Sequence, residues 1–146
     1  MATKQSSDII SILEVYFMKL PPLSKEVKAK IASILPWLAL IFGILGVVVS
    51  FLATIGLLGL APMMAVGGGV GFTVNALIGV LLGLISSGLL LAAYPGVKAN
   101  KYQGWKLLFW SELVGAVSSL LSLALPGILI AALGLYILFQ VKSLYK

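Results

Sequence analysis

From Ile31 to Val97 no residue carries a charge, and from Leu113 to Val141 none does again. A transmembrane helix needs about 20 consecutive apolar residues, so the first run is too long for a single crossing. It is interrupted by "APMMAVGGGVGFT", residues 61–73, where Pro62 and four glycines argue against one continuous helix. The second run is divided by Pro126-Gly127, which reads as a tight turn. With 61% hydrophobic and 10% charged residues and a mean hydropathy of +1.17, water is not the main solvent of this chain. Solidly apolar runs of bilayer length exclude the alternating pattern of a membrane β-barrel. The expected architecture is therefore all-α: an integral membrane bundle of four transmembrane helices in two hairpins, over about 37–60, 73–94, 107–125 and 128–144.

The ten basic residues are all lysines: five within residues 1–30, three within 98–106 and two within 142–146. The 61–73 stretch and the Pro126-Gly127 turn carry no charge. The positive-inside rule then places both termini and the 98–106 loop in the cytoplasm, most simply at the cell membrane. Trp37, Tyr94, Tyr102, Trp105, Trp110, Tyr136 and Tyr145 mostly fall near that same interface, as an aromatic belt does. The net charge of +6 is read as topology, because the lysines flank apolar runs and form no basic face with stacking aromatics; no nucleic-acid partner is expected.

Residues 1–30 read as a separate cytoplasmic segment preceding a transmembrane domain over 31–146. In "SSDIISILEVYFMKL" Ser7 can cap a helix with Ile9, Leu13, Tyr16, Phe17 and Leu20 on one side and Asp8, Ser11 and Glu14 on another. Too short and polar to span, this amphipathic helix either lies along the cytoplasmic interface or covers the cytoplasmic mouth of the bundle. Pro21-Pro22 ends it, and Ser24 can cap "KEVKAKIASIL" before Pro36 starts or kinks the first crossing. No cleavable signal peptide is expected, since this first apolar stretch contains Glu14 and has no small-residue cleavage site.

Three ladders of small and polar residues recur at helical spacing: Gly43, Gly46, Ser50 and Thr54; Asn75, Gly79, Gly83 and Ser87; Ser111, Gly115, Ser119 and Ser122. In lipid such residues let helix backbones approach closely, and helix packing is the reading favoured over a polar-lined path. "VGGGVGF", residues 66–72, lacks the Lys and Ser or Thr of a phosphate loop and the strand-turn-helix order of a dinucleotide site, and reads as a turn between crossings.

One acid stands out. Glu112 follows Lys106 by six residues, about 9 Å along a helix, in a stretch otherwise free of charge. A hairpin pivoting at Pro126-Gly127 brings Glu112 level with Val141 and its neighbours Gln140 and Lys142. The expectation is an intramembrane Glu112–Lys142 pair assisted by Gln140, in preference to an ion or proton site. With no Cys, His or Arg, and no second acid in the crossings, catalysis, cofactors and metals are not expected. The functional expectation is a non-enzymatic scaffold or accessory subunit acting through helix packing, with membrane lipid and either copies of itself or a membrane complex as partners. A small channel or transporter using Glu112 is the alternative.

Overall fold

The computed structural model describes residues 2–67 and 69–146, without the side chains of residues 2–8, 64, 65 and 70. Among the described residues the chain is all-helical, with five α-helices, a terminal 3-10 turn and no strand. They are α1 (Ala2–Phe17), α2 (Lys25–Gly67), α3 (Gly69–Lys98), α4 (Tyr102–Leu121) and α5 (Leu125–Val141), followed by the turn Lys142–Leu144. Among the described residues three segments are long and apolar enough to cross a membrane: Lys25–Met63, Gly71–Lys98 and Leu125–Leu144. The fourth long helix, α4, carries Lys106 and Glu112 and is less apolar.

The first break lies at Pro21-Pro22, as expected, and the Ser24 hydroxyl accepts the Val27 N–H at 3.3 Å, capping α2. From there α2 runs without interruption for 43 residues, so the expected boundary at residue 30 falls inside a helix. It also contains both Pro36 and Pro62. The Pro62 and glycine signals were expected to end the helix near residue 60; instead α2 continues to Gly67. In an apolar medium a helix satisfies its own N–H and C=O groups, and that need outweighs the weak propensity of scattered glycines. α3 opens at Gly69, whose φ of +75° is the left-handed conformation that glycine supplies without steric cost.

α3 ends in the same way at Asn100, with φ of 53°, where Lys101 N–H donates to Gly96 C=O at 2.8 Å. The turn between α4 and α5 is not at Pro126-Gly127. It spans Ser122–Ala124, with Leu123 in the left-handed region at φ 50° and Ala124 N–H bonded to Ser119 C=O at 2.9 Å. Pro126 lies in the first turn of α5, where its missing N–H leaves no bond unmade. This shift of the pivot changes which residues face each other along the whole hairpin.

The helices pack in chain order, α2 on α3, α3 on α4 and α4 on α5, while α2 and α5 touch only sparsely. The buried core is concentrated at the lysine-bearing end. Val97, Trp105, Phe109 and Val141 are fully enclosed there, and Ile9, Ile10, Leu13 and Phe17 of α1 pack against the same cluster. α1 thus covers that end of the bundle; Tyr16 and Leu20, expected on its apolar side, are exposed. Because α1 begins at Ala2, Ser7 lies within the helix and is not at its cap position; the side chains of Ser7 and Asp8 lie outside the described residues. Toward the opposite end large apolar side chains point outward, Leu58, Phe72, Leu125 and Leu129 among them. That distribution suits a chain whose outer surface is solvated by hydrocarbon.

Candidate functional site

At the lysine-bearing end an aromatic cluster gathers α1, α4 and α5. Trp105 stacks on Tyr102 and Phe109, meets Phe139 edge-on, and donates its indole N–H to Leu138 C=O at 2.8 Å. Phe17 of α1 stacks on Phe139 with centroids 5.4 Å apart. Trp105 and Tyr145 were expected in an interfacial belt, but both are buried. The Tyr145 hydroxyl has no hydrogen-bond partner among the described residues, and burial pushes its phenol up from its ordinary pKa. Backbone bonds tie the C-terminus to the α3–α4 turn: Lys146 N–H donates to Asn100 C=O at 3.0 Å, and Tyr102 N–H to Lys146 C=O at 2.7 Å.

Lys142 belongs to this cluster and not to Glu112. Its ammonium lies 2.6 Å from the Glu14 carboxylate of α1 and 5.6 Å from the centre of the Trp105 ring. The expected Glu112–Lys142 pair is therefore absent. Gln140 is buried and does not assist it either; its carbonyl oxygen accepts the Leu23 N–H at 3.3 Å in the linker between α1 and α2. Tyr136 donates to Pro21 C=O at 2.7 Å in the same linker. An ion pair, a ring stack and two hydrogen bonds thus hold α1 and its linker to α5 and the turn that follows it.

The ladder residues divide. A Cβ on Gly43 would overlap Leu91, and one on Gly46 would overlap the Ser87 hydroxyl, so this part of α2 lies close against α3. Ser50 faces Gly83 across the same interface, and Ser87 and Thr54 return their hydroxyls to carbonyls of their own helices, Gly83 and Ser50. Ser119 lies against Gly127 between α4 and α5. A Cβ on Gly79 or Gly115 would meet open space among the described residues, and Asn75 is exposed. Two close contacts were missed. Gly96 and Gly104 bring α3 and α4 together so tightly that a side chain on either would strike the other's backbone. Ser86 and Ser111 form a reciprocal clasp, with hydroxyls 2.9 Å apart and Ser111 donating to Ser86 C=O at 2.9 Å. Gly104 falls within the 98–106 loop and Gly96 just before it, where glycine reads as a turn residue, and the ladder takes Ser87 in place of its neighbour Ser86.

Glu112 sits opposite Gly134. Any Cβ on Gly134 would overlap the Glu112 carboxylate, so the missing side chain is what lets the acid extend past α5. Beyond it is a groove of about 520 Å³ between α2 and α5, lined by Leu35, Leu38, Phe42, Leu133 and Ile137 with Glu112 as its one ionisable group. No hydrogen bond or ion pair reaches this carboxylate from any described residue. Among the described residues no group of His, Cys, Asp or Glu could hold a metal ion. Searches for similar proteins return no matching family model, no curated protein and no solved structure.

Proposed function

We propose that the chain is a non-enzymatic multi-pass protein of the cell membrane that acts as an accessory or scaffold subunit, offering the open side between α2 and α5 to another transmembrane helix. The observation that carries this reading is the incomplete bundle: three helix pairs pack along one another, and the fourth side is left as an apolar groove. In lipid such a groove gains from being filled by a closely fitting helix.

Four crossings, α2 to α5, belong to this reading. α3 and α5 both finish at the lysine-bearing end, where Lys146 bonds Asn100, so α4 returns the chain between them. Its 20 residues cover about 30 Å, the thickness of the hydrocarbon core. The lysine distribution supports cytoplasmic termini, with the exposed Ile12, Val15 and Tyr16 of α1 toward the membrane interface. Self-association through the open Gly79 and Asn75 face of α3 is compatible with it.

Photo-crosslinking residues placed singly at positions 34 and 133, in the groove, are expected to give one discrete protein adduct in native membranes. Positions 58 and 81, on other outward faces, are expected to give none. Lipid adducts alone from all four positions would overturn the reading. A small channel or transporter remains the second reading, favoured by the unpaired Glu112 carboxylate. It predicts ion or proton flux in vesicles that Glu112→Gln abolishes, and the accessory-subunit reading predicts no flux.

A further inference from the structure

Glu112 is an acid in an apolar groove, and among the described residues no counter-charge answers it. Lys142 is taken by Glu14, no lysine lines the groove, and Lys106, six residues earlier on α4, lies on a different face of the helix. The geometry points to a partner transmembrane helix that lies in the α2–α5 groove and presents a Lys or Arg to the Glu112 carboxylate. This rests on the accessory-subunit reading and names the partner's chemistry.

Shape and charge lead to the same occupant. On α2 the wall residues Leu35, Leu38 and Phe42, and on α5 Ile130, Leu133 and Ile137, recur at spacings of three and four. They form two apolar ridges running along antiparallel helices, the relief into which a third helix packs its own side chains. A carboxylate facing hydrocarbon is costly, and a cation at the same depth offsets that cost. Glu112 lies about 9 Å beyond Lys106, shallow enough for a Lys or Arg of a partner to reach it while the rest of its stem stays in apolar surroundings. A second copy of this chain cannot supply the cation from the interior of its crossings, since residues 31–97 and 107–141 contain no basic side chain. Nor is a bound metal a substitute, because among the described residues no second acid, His or Cys accompanies Glu112. Gly134 is the other half of the device, since the carboxylate reaches the groove only because residue 134 has no side chain.

The test uses the whole 146-residue chain labelled at Lys101→Cys in phosphatidylcholine vesicles. The probe is a synthetic Leu/Ala transmembrane peptide with one Lys about two helical turns inside its boundary, carrying an acceptor dye, beside the same peptide with Met at that position. Energy transfer is expected to show the Lys peptide binding about tenfold more tightly than the Met peptide, the size that interhelical polar contacts reach in lipid. Glu112→Gln is expected to remove that preference, Glu112→Asp to keep part of it, and Gly134→Leu to weaken both peptides by filling the groove. Circular dichroism of each variant separates loss of binding from loss of fold, and Glu112→Asp keeps the charge should Glu112→Gln fail to fold. Equal binding of the two peptides, binding of neither, or a Lys preference that survives Glu112→Gln would each overturn the inference. Glu112-dependent binding of hexadecylamine without any peptide preference would overturn it too, assigning the groove to a small amphiphile. The crosslinks from positions 34 and 133 decide the accessory-subunit reading independently, so the charge pairing can fail while helix docking stands.

Discussion

Breaking the ion pair between α1 and the turn after α5 tests the packing register most sharply, because two different registers predict two different couplings. Lys142 and Glu14 are 23% and 33% exposed, so their 2.6 Å contact is partly screened by solvent and is worth less than a buried pair. A double-mutant cycle of Glu14→Gln and Lys142→Met should therefore show a coupling of about 0.5–1 kcal/mol. Lys142→Met should cost more than Glu14→Gln, by roughly 0.5–1 kcal/mol, because it also loses the interaction with the Trp105 ring. Glu112→Gln combined with Lys142→Met should be additive. Glu112 is level with Gly134, and Lys142 lies eight residues further along, about 12 Å, beyond the range of direct coupling. Unfolding in mixed micelles, followed by tryptophan fluorescence, measures all three stabilities, and the Glu14–Lys142 coupling should shrink in high salt. A coupling between Glu112 and Lys142 with none between Glu14 and Lys142 would restore the Pro126-Gly127 pivot and refute the docking of α1 described here.

Other substitutions examine the helix contacts one at a time. Gly46→Leu should destabilise the protein by about 1–3 kcal/mol, since its side chain meets Ser87, while Gly79→Leu should leave monomer stability nearly unchanged; equal effects in the same unfolding assay would contradict the α2–α3 packing. Ser111→Ala removes the Ser111 hydroxyl's half of the clasp, leaving Ser86 its bond to the residue 111 C=O, and should cost about 0.6–1.5 kcal/mol; no measurable loss would show that the Ser111 hydroxyl contributes nothing. Leu123→Gly should stabilise by roughly 0.5–1 kcal/mol by relieving a left-handed backbone that leucine tolerates poorly, and a destabilised variant would count against that turn.

What the sequence made legible is the part governed by the solvent. Lysine-flanked apolar runs read directly as helices, and Ser24 and Pro21-Pro22 marked where α2 begins because capping and proline sterics are local. The register of the last hairpin was not local. Pro126-Gly127 satisfies every turn signal, yet Pro is equally at home in the first turn of a helix, and the left-handed position went to Leu123, which no propensity nominates. That slip moved the residue facing Glu112 from Val141 to Gly134, about 10 Å along the helix, and left the acid without its expected lysine. The true partner of Lys142 was visible only as one of four acids, and one lying in a segment whose docking depends on tertiary packing. Gly96 and Gly104 were hidden for the opposite reason: glycines beside a loop resemble turn residues whether or not two backbones meet there.

The functional reading stands on four crossings with the lysine-bearing end in the cytoplasm, and the crossing by α4 is its decisive element. Single cysteines in this cysteine-free chain test it directly, at Lys101→Cys before α4 and Leu123→Cys after it. In intact cells a membrane-impermeant maleimide should label position 123 from outside and position 101 only after permeabilisation. Labelling of both positions from the same side would mean that α4 does not cross, and the account of a four-crossing bundle with an open groove would be wrong.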